Sequence, residues 1–346
     1  PSRVVYPMRR AKEERGNGEA WERCTWDEAL DLIMDNWKRL TEQYGRETMA
    51  IFVGTGRDGM LSQDFQLSIF RTPNLAYTQS GYACYQPRMM SSQMVLGALY
   101  PELDYAGGLE GGYDDPQYQV PELMVLWGKM PLASNPDGFF GHAIIDLMKR
   151  GAKLVTIDPR VNWLATRSVV QLRLRNGTDA ALAMALCNII ISENLYDHDF
   201  VERWCYGFDE LAERVKDWTP ERAAEICQVD ADDIRLAAEY MGNWGPVGMC
   251  IGLGPGGMHT NAIQNGRAIA CLQGMLGYLD VKGGIPVPLS FSVMLDDKIT
   301  LWDSQKDPGR PELFTFGGEE HPLYKSFGRS NDPHAVFNAI ITGEPR

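Results

Sequence analysis

Short apolar runs that alternate with helical segments constrain the fold of this 346-residue chain more than any other feature. The runs and the turns that follow them lie at 49–54, 123–128, 153–160, 169–179 and 247–252. Helical patterns of roughly 10–15 residues separate several of these segments. Parallel strands need such crossover connections, which cover both faces of the sheet. The sequence therefore predicts an α/β fold built from parallel-sheet, Rossmann-like domains with helices on both faces.

Changes in composition along the chain predict four segments. They are a lead-in arm and helix at 1–45, the first part of an α/β domain at 46–122, a second α/β domain at 123–285, and an irregular return toward the first domain at 286–346. In the arm, Thr25 and Glu28 have the spacing of a capping box, which predicts a helix start. A further helix is predicted at 89–99, and the Gly-, Asp- and Pro-rich stretch 100–121 is predicted to be a surface crossover or a domain boundary. The first residue, Pro1, and the lack of a closing element predict an internal portion of a longer polypeptide.

The composition excludes several classes of function. A net charge of −13 and a pI near 4.9 argue against a broad nucleic-acid surface, because phosphate binding uses clustered Lys and Arg. No apolar run approaches the roughly 20 residues of a membrane-spanning helix. The seven cysteines contain no C-x-x-C pair, so neither a disulfide framework nor a zinc or iron–sulfur site is expected within this chain. The composition is that of a globular protein, and it still allows a local basic pocket for a small phosphorylated ligand.

The residues that follow the predicted strands form the first candidate site. Ligands of doubly wound sheets bind beyond the carboxyl ends of the strands, where glycine turns let backbone N–H groups approach phosphate. Asp158 and Asp179 are expected to accept hydrogen bonds from a sugar or from the amino edge of guanine. The sequence has neither a nicotinamide-type glycine motif nor a Walker motif. The predicted binding residues are Gly56, Gly128, Lys129, Asp158, Arg160, Gly177, Thr178, Asp179, Gly252 and Gly254.

The order of these motifs resembles the dimethyl sulfoxide reductase family of molybdopterin enzymes. The family patterns W-G-x-N-P, I-D-P-R and P-G-T-D-A-A-L correspond to residues 127–131, 157–160 and 176–182. The lead-in arm and the late glycine-rich turn are similar too, so the resemblance covers roughly residues 1–290. It implies part of a larger multi-domain molybdopterin oxidoreductase fold. The metal-loop domain would begin in the second predicted segment, and the third would be the dinucleotide-binding domain.

Two positions depart from the family pattern. Met130 stands where the family has the Asn of W-G-x-N-P, which removes a polar cofactor contact for which Lys129 or Ser134 would compensate. Asn176 replaces the Pro of P-G-T-D and leaves the glycine, threonine and aspartate that follow it intact. The resemblance extends the predicted cofactor-binding set by Trp127, Ser134 and His259.

The resemblance also implies a metal ligand in the loop after Pro73-Asn74. In the family this ligand lies about ten residues beyond a P-N pair, and here Cys84 occupies that place. Thiolate is a soft, strongly donating ligand that suits a metal held by sulfur. Cys84 is therefore predicted to bind the metal. Arg88 and His259 are predicted as further catalytic residues, with an ordinary surface arginine as the alternative for Arg88.

The cofactor that the resemblance implies is a pair of molybdopterin guanine dinucleotides holding molybdenum or tungsten. The family carries its [4Fe–4S] cluster N-terminal to the point where this chain begins, so the cluster is expected outside this segment. The expected partners are a small-molecule substrate and an electron-transfer iron–sulfur subunit or domain. The expected location is the bacterial cytoplasm, or beyond it through twin-arginine export.

Three functions fit the sequence. The first is a catalytic subunit that reduces a small substrate by oxygen-atom transfer or reductive dehydroxylation at a Cys-ligated metal. The sequence around the metal loop is most similar to the branch of this family that contains acetylene hydratase, polysulfide or thiosulfate reductases and catechol dehydroxylases. The second is a non-redox hydratase or hydroxyl transferase with the same cofactor. The third is a cofactor-free structural α/β subunit.

Overall fold

The structure is a computed structural model that describes most of the chain. The described residues are 3–53, 70, 72, 74–77, 86–98, 101–105, 118–134, 139–287 and 333–344. The chain divides into two compact units, of which the first comprises 1–78 with 294–346 and the second 79–293. The division into four segments stays a prediction.

Strands and helices alternate along the described residues. The strands are β1 Met8–Arg9, β2 Glu22–Arg23, β3 Ala50–Val53, β4 Asn74–Tyr77, β5 Leu123–Trp127, β6 Lys153–Ile157, β7 Val170–Leu172 and β8 Val247–Ile251. The helices are α1 Trp26–Tyr44, α2 Gln86–Leu96, α3 Pro131–Ser134, α4 Phe139–Lys149, α5 Asp179–Ser192, α6 His198–Trp204, α7 Phe208–Val215, α8 Pro220–Cys227, α9 Ala231–Asn243, α10 Leu253–Gly257, α11 Ala262–Met275 and α12 Pro333–Thr342. Within this part of the chain, no helix combines the length and the apolar character that crossing a membrane requires.

The first unit contains the predicted capping box and a pair of parallel strands. The backbone N–H of Glu28 donates to Thr25 Oγ1 (3.2 Å), and the Thr25 N–H donates to the Glu28 carboxylate (2.8 Å), so α1 begins as predicted. Strands β3 and β4 pair in parallel. The ring of Phe52 on β3 stacks on Phe337 of α12 at 4.9 Å between centroids, which joins the two stretches of chain in this unit.

The second unit is built on a four-stranded parallel sheet in the order β7-β6-β5-β8. All five residues of β5 and all five of β8 are buried, which explains why their sequences are uninterrupted apolar runs. From β5 the chain adds β6 and β7 on one side and then β8 on the other. The order therefore reverses at β5, and the carboxyl ends of β5 and β8 form a topological switch point.

Helices cover both faces of this sheet, as the sequence predicts. Alternate residues of β5 point to opposite faces: Leu123, Val125 and Trp127 belong to one hydrophobic core, and Met124 and Leu126 to the other. The first core contains α5, α9 and α11, and the second contains α4. The predicted α/β fold is confirmed.

Residues 101–105 correct the prediction of a surface crossover at 100–121. Leu103 and Asp104 are buried, and the Leu103 N–H donates to the carbonyl of Met249 on β8 at 2.8 Å. The Asp104 carboxylate accepts from the N–H of Gly283 at 2.9 Å. The segment thus runs along the outer side of β8, where it covers an otherwise exposed strand edge. Residues 106–117 lie outside the described part of the chain.

Candidate functional site

Turns that end β5, β6 and β8, together with the residues after β7, surround a cleft at the switch point. The first cleft, as we call it, has a volume of about 550 Å³, which lies within the usual range for small-molecule sites. The predicted residues that line it are Gly128, Asp158, Arg160, Gly177, Asp179, Gly254 and His259. Pro255 and Met258 also line it and were not predicted.

A second cleft of about 410 Å³ adjoins the first. The two share Gly128, Arg160 and Gly254, so they are continuous along the sheet edge. The predicted residues that line the second cleft are Arg88, Gly128, Lys129, Ser134, Arg160, Gly252 and Gly254. The charged side chains of this cleft are basic, whereas the first cleft also contains two aspartates.

Two glycines bring the turns after β5 and β8 into direct contact. Gly128 has φ +62°, and a Cβ there would lie 2.5 Å from Cδ of Pro255. A Cβ at Gly252 would collide with the backbone oxygen of Gly128. Hydrogen bonds of 2.7 Å from Gly128 N to Ile157 O and from Gly252 N to Trp127 O continue the strand pairing into these turns. The close approach leaves no room for a side chain at either glycine; Gly128 lines both clefts and Gly252 lines the second.

Asp158 is fixed by the turn that follows β6. Its Oδ1 accepts from the N–H of Arg160 at 2.8 Å and lies 3.4 Å from Arg160 Nε. The Asp158 side chain is only 5% exposed, while that of Arg160 is 69% exposed. The turn therefore presents a buried acceptor beside an exposed cation.

Asp179 begins α5 and is held from behind by Trp127. The indole Nε1 donates to Asp179 Oδ1 at 2.8 Å. Burial raises the pKa of the Asp179 carboxyl above its ordinary value, and the hydrogen bond from Trp127 opposes this shift. Trp127 is 1% exposed and lines neither cleft. It contacts the aspartate, so any role toward a ligand in these clefts would act through Asp179.

Thr178 also faces away from the clefts. Its hydroxyl donates to the carbonyl of Arg175 at 2.6 Å, which closes the turn before α5. The motif at 177–179 thus contains residues that line the cleft and a residue that shapes the turn. Gly177 and Asp179 line the first cleft, and Thr178 shapes the turn that presents them.

His259 lies in the first cleft, held by two asparagines that are not among the predicted site residues. Its Nδ1 accepts from the N–H of Asn261 at 3.2 Å, and its Nε2 lies 2.7 Å from Nδ2 of the buried Asn265. Asn261 Nδ2 in turn donates to Asn265 Oδ1 at 3.2 Å. Asn261 and Asn265 are one helical turn apart at the start of α11. That spacing is a signal for a shared face, although it does not reveal the histidine contact.

Arg88 is buried and contacts the turn after β8. Its Nη1 donates to the carbonyl of Ile251 and lies 3.5 Å from the carboxylate of Glu102. Glu102 was missed because it lies in the stretch predicted to be a surface crossover. The surface alternative for Arg88 is wrong, since only 7% of its side chain is exposed.

The predicted metal ligand Cys84 and the predicted glycine Gly56 lie outside the described residues. Within the described ranges, no group of three or more His, Cys, Asp and Glu side chains is arranged to hold a metal ion. The assignment of Cys84 therefore stays a prediction.

Comparisons with known proteins agree with this architecture. The family model described as molybdopterin oxidoreductase matches residues 3–342. The chain is 31% identical over 306 residues to the probable dimethyl sulfoxide reductase chain YnfF of Escherichia coli, covering 82% of this chain and 36% of that protein. It is 31% identical over 371 residues to acetylene hydratase of Syntrophotalea acetylenica, covering 99% of this chain and 47% of that one.

Structural comparison gives the same result. The solved structure of acetylene hydratase from Pelobacter acetylenicus matches with a TM-score of 0.76 and 27% identity, over 99% of this chain and 48% of that chain. The chain thus spans about half or less of the length of these relatives. A family match over nearly the whole chain and a switch-point cleft formed by the family's motifs lead to one conclusion: the chain belongs to the molybdopterin oxidoreductase family.

Proposed function

We propose that this chain is part of the catalytic subunit of a molybdenum or tungsten enzyme and binds the guanine dinucleotide form of molybdopterin. The observation that carries the proposal is the first cleft. There the buried carboxylates of Asp158 and Asp179 line a cleft that the backbone of Gly128, Gly177 and Gly254 also lines. Carboxylates match the paired donors of a guanine edge or a ribose, and backbone N–H groups suit phosphate. The residues present therefore fit the nucleotide end of such a cofactor.

The chain's residues would bind and orient this cofactor, while the metal would supply the two-electron chemistry when bound. Asp158 and Asp179 would hold the nucleoside end, and the turns at Gly128 and Gly252 would let the diphosphate approach the backbone. Trp127 would keep Asp179 in place. His259 would face the ligand with its Nδ1 already occupied by the Asn261 N–H.

Nucleotide release from the purified full-length protein tests the cofactor form. Acid hydrolysis should liberate two equivalents of GMP per molybdenum or tungsten atom, because each dinucleotide carries one guanosine phosphate. Asp158→Asn should lower both contents together. Release of a different nucleotide, or of none, would overturn the guanine dinucleotide assignment.

We propose Cys84 as the protein ligand to the metal. The support is its place ten residues after Asn74, as in the family pattern, and the suitability of thiolate for a metal held by sulfur. Cys84→Ala should lower metal content or abolish activity in the full-length protein. Cys24→Ala, which changes a cysteine near the start of the chain, serves as the control. Full metal content together with full activity in Cys84→Ala would refute the role.

The reaction that we favour is reduction of a small substrate, by oxygen-atom transfer or reductive dehydroxylation. Several relatives carry reductase names, and one is the dopamine dehydroxylase of Eggerthella lenta, 30% identical over 205 residues that cover 59% of this chain and 19% of that protein. A reductase also needs an electron supply. We therefore propose an iron–sulfur cluster elsewhere in the full-length protein or in a partner subunit. Its visible absorption should bleach when dithionite is added.

A non-redox hydratase is the second candidate. The match to acetylene hydratase covers 99% of this chain, whereas the match to the dimethyl sulfoxide reductase chain covers 82%. Turnover assays separate the two. Product formation that requires a reduced viologen donor supports the reductase, and product formation without a donor supports the hydratase.

A further inference from the structure

An ion-pair cluster lies at the wall of the second cleft. The carboxylate of Glu102 stands between two cations, with Oε1 3.5 Å from Arg88 Nη1 and 3.7 Å from Lys129 Nζ. The side chains are 7% (Arg88), 13% (Glu102) and 22% (Lys129) exposed. One carboxylate thus lies within ion-pair distance of two poorly solvated cations.

The two cations are held to different degrees. Arg88 also donates to the carbonyl of Ile251, and its aliphatic stem packs against Gly256, where an added Cβ would lie 3.1 Å from Arg88 Cβ. Lys129 lies over the ring of Phe140 at 5.7 Å and approaches Glu102 only at 3.7 Å. That distance exceeds the roughly 2.7–2.9 Å of a charge-assisted hydrogen bond. The flexible lysine is therefore attracted to Glu102 without being locked to it.

The side of the cluster that faces the cleft is basic. Arg88 and Lys129 line the second cleft together with Arg160, whereas Glu102 is not among the lining residues. An anionic group that entered this cleft would meet the cations before it met the carboxylate. The second cleft also joins the first, which the two aspartates line, through Gly128 and Gly254.

We propose that Glu102 is an internal counter-anion. In the ligand-free chain, its carboxylate offsets the positive charge of Arg88 and Lys129, which the diphosphate of a bound ligand would otherwise offset. Binding of the diphosphate in the second cleft draws Lys129 away from Glu102, which keeps its contact with Arg88. Without ligand, the carboxylate lowers the free-energy cost of the two poorly solvated cations, because buried charges are costly unless they are paired. It also competes with the ligand for Lys129. This inference rests on the proposed function, since it takes the nucleoside end to lie in the first cleft.

Glu102 also has a structural contact that the experiment must separate from this role. The thiol of Cys250 donates to Glu102 Oε1 at 3.2 Å. If Glu102 served only to pack the second core, its loss would lower stability without changing the response to an anionic ligand. If it competes with the ligand, its loss would lower stability and strengthen ligand binding.

The test compares Glu102→Gln with the parent full-length protein, both produced in cells that cannot make molybdopterin. GDP is the probe, and guanosine is the control without phosphate. Glu102→Gln should unfold at a lower temperature in phosphate-free buffer yet bind GDP on the order of fivefold more tightly, with guanosine binding unchanged. Glu225→Gln, an exposed change on α8, should match the parent protein in every measurement.

Lys129→Met provides an independent arm if Glu102→Gln does not fold. It leaves Glu102 paired with Arg88, so the fold should persist, while GDP binding weakens several-fold and becomes less sensitive to salt. Lys149→Met, an exposed change at the end of α4, is its control. Unchanged GDP affinity in either test variant, or an equal change for guanosine in Glu102→Gln, would overturn the proposal. GMP release from the full-length holoenzyme is independent of this result, so the proposed function and this inference can fail separately.

Discussion

At the scale of single residues, ligand binding and folding stability place opposite requirements on Asp179. Its carboxylate lines the first cleft, where an acceptor for a nucleoside is useful, yet its burial raises its pKa because the charged form is poorly solvated. The hydrogen bond from Trp127 offsets part of this cost. A residue that binds ligand at the expense of stability is the expected result of such a placement.

Asp179→Asn should therefore stabilise the ligand-free protein and weaken GDP binding. A folded-state pKa above the ordinary 3.8 means that the native carboxyl holds its proton more tightly, so Asp179 destabilises the fold as the pH rises through that window. The gain in unfolding midpoint, a few degrees at pH 7, should shrink as the pH falls toward 3.8. Asp209→Asn, an exposed change in the first turn of α7, should show neither effect. A midpoint for Asp179→Asn that is lower at pH 7 would contradict the account.

Trp127→Phe should weaken GDP binding about as much as the loss of one hydrogen bond to a charged group allows, on the order of tenfold. The indole N–H that holds Asp179 is removed, while a smaller aromatic ring remains in the core. Trp163→Phe, at a partly exposed position outside that core, is the matched control for calorimetric titration. Equal affinity in Trp127→Phe and the parent protein would show that the indole does not position Asp179.

At the scale of elements, the predicted strands were located well and the turns less so. The segments predicted at 123–128 and 247–252 are confirmed as β5 and β8, because an uninterrupted apolar run is typical of a strand buried on both faces. The helix predicted at 89–99 begins at Gln86 and ends at Leu96. The boundary was misplaced because Pro87 interrupts the pattern, although proline is tolerated in the first turn of a helix.

The segment predicted as a glycine-rich turn is in fact the short helix α10. Gly252 is its extended N-cap, and Pro255 is accommodated in the first turn, where a missing N–H costs little. The contact between Arg88, Glu102 and Lys129 was beyond prediction for a different reason. It joins residues from α2, from the segment 101–105 and from the turn after β5, and local periodicity carries no information about such pairings.

Gly252→Ala and Gly254→Ala form a matched pair within this turn. The added methyl group would collide with the Gly128 backbone oxygen at position 252, whereas at position 254 no atom lies within 4 Å. Gly252→Ala should cost several kcal/mol of unfolding free energy, and Gly254→Ala should leave it almost unchanged. Urea denaturation checks both. Equal stability of the two variants would mean that the turns after β5 and β8 do not press on each other.

At the scale of the whole molecule, the chain forms two compact units and spans about half of the curated relatives it matches. The candidate clefts belong to the second unit, and the motifs that identified the family lie on its strand ends. The fold of this unit could be predicted because β5 and β8 are uninterrupted apolar runs and helical patterns separate the strands. The metal loop could be predicted only by resemblance, since a lone cysteine has no spacing of its own to indicate a role.

Removal of the cofactor should lower the stability of the full-length protein. A ligand that binds only the folded state adds RT ln(1 + [L]/Kd) to the unfolding free energy, about 4 kcal/mol when the ligand exceeds Kd a thousandfold. Protein produced without molybdopterin synthesis should therefore unfold several degrees below the holoenzyme in calorimetry. Coincident transitions for the two forms would argue against a tightly bound cofactor.

The segment 101–105 along β8 has a consequence for chemical labelling. Cys250 is fully buried between Tyr105 and Glu102, and its burial raises the thiol pKa to about 12, so almost no thiolate exists at neutral pH. An alkylating reagent can reach this sulfur only when the segment detaches from the strand. The rate at which iodoacetamide modifies Cys250 would then report how often the sheet edge opens locally. Mass spectrometry can measure this modification rate, which should fall when a ligand fills the second cleft.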